Sequence, residues 1–174
     1  MTADDRTVND RAAHWRAMAT ADLAVVDALS ARVHPNHPER AEVLDEKLRL
    51  HPQGCFVLAS GDGIAGYCFS HPWLRGVVPA LDTFLGRLPA RPTTYYVHDL
   101  TLDAGLRGQG HGRAIVPLLF ECALSLGVTH MSLVAVNRRG PFWQAAGFVR
   151  TADEMLQATT RAKYGDAVHM ERLL

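Results

Sequence analysis

Tyr95 to Arg113, YYVHDLTLDAGLRGQGHGR, concentrates the groups able to do chemistry. Gly105, Gly108, Gly110 and Gly112 follow an alternating apolar run, with Arg107 and Arg113 among them, and an apolar helical pattern starts at once. A strand, a glycine loop and a helix N-terminus in that order bind anions, because bare backbone N–H groups and the helix dipole converge on one point. Glycine lets a phosphate approach the backbone closely, and arginine adds charge. The stretch lacks the GKS or GKT ending of a P-loop and the GxGxxG spacing of a dinucleotide fingerprint. What remains is R-x-x-G-x-G, carried by Arg107, Gly110 and Gly112. The strand before the loop offers Tyr96, His98 and Asp99. Strand alternation puts Tyr96 and His98 on one face and Asp99 on the other.

These groups need a strand, a turn and a helix in register, and the flanking chain is patterned to supply them. Residues 95–102 read as a strand. Residues 109–126 read as a helix with Ile115, Leu118, Leu119, Cys122 and Leu126 on one face. Pro117 is expected as a tolerated kink and Gly127 as the residue that closes the helix. Residues 130–136 form a buried strand, 141–146 a short helix ended by Gly147, and 148 onward and 167–173 two more strands.

Upstream, residues 12–18 fit a first strand. Thr20 is read as an N-cap, and Leu23, Val26, Leu29 and Val33 follow at helical spacing up to His34. A second helix fits residues 38–50, opened by Pro38. Residues 55–60 and 64–71 are strands joined by Gly61-Asp62-Gly63. Residues 72–94 mix four prolines with Trp73, Leu74, Val77, Val78, Phe84 and Leu85. A structureless stretch of that length is unusual in a compact domain, so a short helix over 79–88 is expected within a covering loop. Interleaved strands and helices give one α/β domain (a mixed α+β sheet) over 11–174, after a disordered, polar 1–10.

Composition narrows the partners. The chain has 174 residues, with 18 basic against 18 acidic side chains, so charge gives no argument for nucleic acid or an anionic membrane. Cys55, Cys68 and Cys122 are odd in number and widely spaced, which predicts buried thiols rather than disulfides or a zinc site. His34 and His37 are separated by a proline and lack a third ligand, so no metal is expected. No apolar signal core and no long apolar run are present, and a cytoplasmic protein is expected.

Residues 100–119, LTLDAGLRGQGHGRAIVPLL, resemble motif A of the GNAT N-acetyltransferases, which bind acetyl-CoA. FWQAAGF, Phe142 to Phe148, is similar to the family's FYxxxGF segment, and YGDAVHMERLL, Tyr164 to Leu174, to its last strand. The resemblance covers most of the chain and is carried by residues 95–150. It implies a mostly antiparallel central sheet with helices on both faces, in which 95–102 and 130–136 are parallel neighbours that splay apart. It implies that Leu100 and Leu102, with Thr101 between them, hold the pantetheine arm. The amides of Arg107, Gly108, Gln109, Gly110, His111 and Gly112 would hold the pyrophosphate, with Arg113 as a further phosphate partner. Asn137, Phe142 and Trp143 would flank the acetyl end.

The implied reaction is acetyl transfer to a primary amine of a small molecule or peptide, by direct attack in a ternary complex, in a monomer or homodimer. Such transfer needs a base for the ammonium, a donor for the oxyanion and a proton for the thiolate. His98 suits the base, since imidazole titrates near neutrality, and YVHDLTL is similar to the histidine-bearing strand of the arylalkylamine branch. Asp99 and Tyr96 are the other candidates on that strand. The family's usual acid, the tyrosine of FYxxxGF, is Trp143 here, and indole cannot give its proton to a thiolate. Either Tyr95, Tyr96, Tyr164 or a water replaces it, or no acid is needed. The competing reading is a domain of the same fold that holds acyl-CoA as a sensor or scaffold without turnover.

Overall fold

The computed structural model describes residues 13–35, 39–61 and 63–174. Its centre is a seven-stranded sheet of β1 (His14–Ala17), β2 (Cys55–Ser60), β3 (Gly63–Trp73), β4 (Thr94–Leu102), β5 (His130–Val136), β6 (Val149–Arg150) and β7 (Ala167–Leu173). The spatial order is β1-β2-β3-β4-β5-β7-β6. Every neighbouring pair is antiparallel except β4 and β5, which are parallel. That pairing runs only from Tyr95 opposite Met131 to Val97 opposite Leu133. Beyond it the two strands part, as expected.

Helices cover both faces. On one lie α1 (Leu23–Val33) and α2 (Ala41–Leu50), whose Val26, Leu29, Leu44 and Leu48 pack on Tyr67 and Phe69. On the other lie α3 (His111–Ala114), α4 (Val116–Ser125) and α5 (Gly140–Ala145). There Ile115, Leu119 and Trp143 pack on Tyr95, Val97, Met131 and Leu133. α6 (Glu154–Tyr164) lies between β6 and β7 in the chain. Burying two such apolar layers against one sheet is the main stabilising contribution to the fold.

Four local expectations change. The turn before α1 is a short 3-10 turn, Thr20–Asp22. Its cap is the Asp22 carboxylate, which accepts from the Ala19 backbone N–H at 2.8 Å and from Arg16, so Thr20 is not the capping group. The helix expected over 109–126 is interrupted at Ile115, two residues before Pro117, whose ring nitrogen has no N–H to give the preceding turn. Residues 79–88 form no helix. Prolines at both ends and the Gly86 backbone at φ +72° oppose one, and the segment satisfies its backbone elsewhere. Leu85 and Gly86 N–H donate to the Glu46 carboxylate, and the Val78 and Pro79 carbonyls accept from Lys163 and Tyr164.

α6 is an element that hydrophobic periodicity did not announce. Asp153 caps it by accepting from the Leu156 N–H, and its inner face is largely polar, with Gln157 and Thr160 fully buried. The Gln157 amide binds the His169 backbone through both its oxygen and its nitrogen. A helix docked by a buried amide leaves no apolar stripe to read. Asp62, His37 and Pro38, which carried parts of the sequence reading, lie outside the described residues.

Candidate active site

A bulge in β4 shapes the site. Phe69 pairs with Asp99 and Ser70 with Val97, so His98 is an extra residue with no partner across the ladder. A bulge shifts the phase of side-chain alternation by one. Asp99 therefore points to the same face as His98, not the opposite face expected from strict alternation. Its carboxylate accepts from Tyr67 Oη at 2.7 Å and from Thr101 Oγ1 at 3.0 Å, and His34 Nε2 stands 3.7 Å away. Two neighbours of the sheet thus already bond the Asp99 carboxylate.

Where β4 and β5 part, a cavity of about 370 Å³ opens. Its walls bring together His98, Asp99, Leu100, Thr101, Leu102, Arg107, Gly112, Asn137, Phe142 and Trp143, which the sequence singles out. They also include Arg139 and, from α1 and its end, Val33 and His34. Asn137 and Arg138 take left-handed backbone conformations at φ +53° and +60°. Non-glycine residues so held, at the mouth of a cleft, mark a place where the chain is bent for a purpose other than regular structure.

The loop between β4 and α3 is built for its glycines. Gly108 and Gly110 sit at φ +78° and +88°, a region that side chains oppose. Gly112 is needed for space, since a Cβ there would stand 3.3 Å from Phe142 and 3.4 Å from Leu102. Among the described residues, the backbone N–H groups from Gly108 to Gly112 find no acceptor within the chain. Five free N–H groups at a helix start form a concentration of positive partial charge. The Leu102 carbonyl already accepts from Arg107 Nε at 3.3 Å, so Arg107 braces the loop as well as charging it. Arg113 faces away, into a separate open groove with Pro117 and Gly147.

On the far side of the cleft the site is made of side chains. His98 meets the cavity through its main chain, while its imidazole is only 2 % exposed. Nε2 lies 3.3 Å from Glu39 Oε1, and Nδ1 is buried with no partner among the described residues. The same Glu39 oxygen accepts from Lys47 Nζ at 3.3 Å and from the Asp82 N–H at 3.2 Å. Burial alone would raise the Glu39 pKa. The hydrogen bond and charge of His98 and the Lys47 ammonium outweigh it and hold the carboxylate at about 2. His71 and Trp73 complete the pocket. The His71 ring stands 5.7 Å from His98 and 5.3 Å from Trp73, and burial, with His98 nearby, lowers the His71 pKa to about 3.

The tyrosines do not fill the missing acid position. Tyr95 is buried on the other face, bonded to Ser70 and His51. Tyr96 is fully buried, and Tyr164 donates to the Pro79 carbonyl. Burial raises the pKa of all three, and none lines the cavity. Trp143 is 6 % exposed and packs edge-on against Phe142 and Phe148, as a wall. Sequence reasoning missed Glu39, Lys47 and His71. Glu39 precedes α2, Lys47 lies on α2 and His71 on β3, and no spacing joins them to His98.

The comparisons agree with this geometry. No curated protein matches the chain by sequence. Among solved structures, the loading GNATL domain of CurA from Lyngbya majuscula is similar at TM-score 0.76 and 15% identity, over 93% of this chain and 98% of that one. Ard1 from Thermoplasma volcanium is similar at TM-score 0.70 and 16% identity, over 94% and 98%. N-acetylglutamate synthase from Neisseria gonorrhoeae, complexed with coenzyme A and N-acetyl-glutamate, is similar at TM-score 0.66 and 16% identity, over 94% of this chain and 35% of that one. Each of these likenesses speaks to the fold. Residues 20–148 match the family model described as Acetyltransferase (GNAT) family, and with a parallel strand pair that splays beside a glycine loop, the chain belongs to the GNAT acetyltransferase family.

Proposed function

We propose that the protein transfers an acetyl group from acetyl-CoA to a primary amine of a small molecule or peptide, by direct attack in a ternary complex. The observation that carries this reading is one continuous cavity. It joins the splayed ends of β4 and β5, next to the glycine loop, to the strand residue His98. The amides of residues 108–112 receive the pyrophosphate, as bare N–H groups at a helix start favour an anion, whereas the Arg107 N–H already goes to the Ala104 carbonyl. Leu100, Thr101 and Leu102 line the path of the pantetheine arm. Asn137, Phe142 and Trp143 flank the thioester.

His98 removes the proton from R–NH3+. Its imidazole is buried, so the proton passes through a water. The amine nitrogen then bonds to the carbonyl carbon, and the C–S bond breaks. The nitrogen gives up its second proton and the CoA thiolate gains one, relayed by water because no tyrosine reaches the cavity, so the products are R–NH–CO–CH3 and CoA–SH. The family membership and the absence of a membrane-crossing helix among the described residues are compatible with action on a cytoplasmic amine, by a monomer or homodimer.

A second reading rests on Trp143, which stands where the family's acid usually is. In that reading the domain holds acyl-CoA without turning it over. Thiol release from acetyl-CoA, followed with a panel of arylalkylamines, polyamines, amino acids and peptides, separates the two. Acceleration by any amine supports the transferase. Tight CoA binding with no acceleration by any amine rejects it in favour of the module.

A further inference from the structure

Resting on His98 as the base, we propose that Glu39, the residue two positions before α2, is the positioning residue that sets which nitrogen of His98 takes the proton. A carboxylate held ionised can only accept, so the proton of neutral His98 resides on Nε2, 3.3 Å from Glu39 Oε1. Nδ1 is then left as the lone pair, and it is the buried atom with no partner among the described residues. The same accounting holds next door. His71 Nδ1 donates to the Pro72 carbonyl at 3.2 Å, leaving Nε2 as a buried acceptor, and the Trp73 indole N–H is a buried donor, both without a partner among the described residues. Two acceptors and one donor, on three rings linked through His71, match in number what a single water provides, since it offers two donors and accepts a bond.

The elements around His98 and Glu39 contribute to this setting. α2 supplies Lys47, whose ammonium shares the Glu39 oxygen and keeps the carboxylate ionised, and β3 supplies neutral His71. β4 supplies Tyr96 beside the ring and Asp99, committed to Tyr67 and Thr101. α6 supplies Tyr164, bonded to Pro79. The Asp82 N–H ties the 74–93 segment to the same Glu39 oxygen. When His98 becomes imidazolium, the Glu39 charge 3.3 Å away balances it, and the proton returns to solvent through the water at Nδ1.

The direct test is nitrogen-15 NMR of the histidine rings in the wild-type protein, which needs no variant to fold. His98 is expected as the Nε2–H tautomer at neutral pH. A His98 ring protonated on Nδ1 alone overturns the proposal. Kinetics give the second test, with the panel amine that best releases thiol from acetyl-CoA. Glu39→Gln is expected to lower kcat about 10- to 100-fold, with the KM for acetyl-CoA changed less than about twofold. The double variant Glu39→Gln/His98→Ala is expected to be no slower than His98→Ala alone, because both changes disable one unit. Multiplying losses would show that Glu39 does not act through His98. If His98→Ala itself keeps wild-type kcat, the base assignment fails, whereas an impaired His98→Ala with an unimpaired Glu39→Gln removes the Glu39 role alone.

Discussion

The two banks of the cleft are made differently. The bank formed by residues 100–112 and α3 works through its backbone: free N–H groups, two glycines at positive φ and one glycine that keeps space open. The bank formed by β3, β4, α2 and the 74–93 cover works through side chains that bond one another in a buried pocket. A backbone site tolerates change in most side chains and fails at its glycines. A side-chain site fails wherever one member of its network is removed. In the proposed reaction, the same contrast separates holding the cofactor from selecting and activating the acceptor.

Experiments can break or sharpen that contrast. The largest effect is expected on the side-chain bank. His98→Ala should lower kcat about 100- to 1,000-fold while the CoA Kd from calorimetry stays within about twofold. A comparable rise in Kd would show that the two banks are not separable. Next is the pH dependence of stability. The Glu39 pKa is depressed in the folded chain from 4.5 to about 2, so its contribution is present above the unfolded value and is lost as pH falls toward the folded one. Urea titrations should show wild type losing roughly 2–3 kcal/mol more than Glu39→Gln between pH 5.5 and 2.5. Equal losses would mean that the Glu39–Lys47–His98 network does not hold its charge.

The backbone bank should respond to Gly112→Val. The added methyls meet Phe142 and Leu102, and CoA affinity should fall about 30-fold with kcat at saturation nearly unchanged. Wild-type affinity in that variant would refute the loop assignment. The smallest effect is expected at the cover. Glu46→Ala leaves the Leu85 and Gly86 N–H groups without their acceptor and should cost about 1–2 kcal/mol. It should raise the KM for the amine and leave CoA binding alone. A change in CoA affinity instead would place the cover over the wrong bank.

The backbone bank was legible in the sequence because glycine positions report backbone conformation directly. R-x-x-G-x-G, the alternating run before it and the apolar face after it predicted strand, loop and helix, and the strand pair they belong to does splay. Each strand expected from alternation is present, and the interruption at Pro117 follows from its missing N–H. Where polar groups do the packing, the sequence is silent. α6 docks through Gln157, and residues 79–88 replace helical bonds with bonds to Glu46, Lys163 and Tyr164.

By itself, then, the amino-acid sequence determined the strands, the glycine loop that follows β4 and the family, since each depends on local spacing that survives without coordinates. Tertiary structure decided the facing of Asp99, because a bulge depends on how β3 and β4 pair and not on either strand alone. It also decided the company of His98. Glu39 and Lys47 are 59 and 51 positions away, and only the packing of α2 over the sheet turns that separation into a shared hydrogen-bonded oxygen.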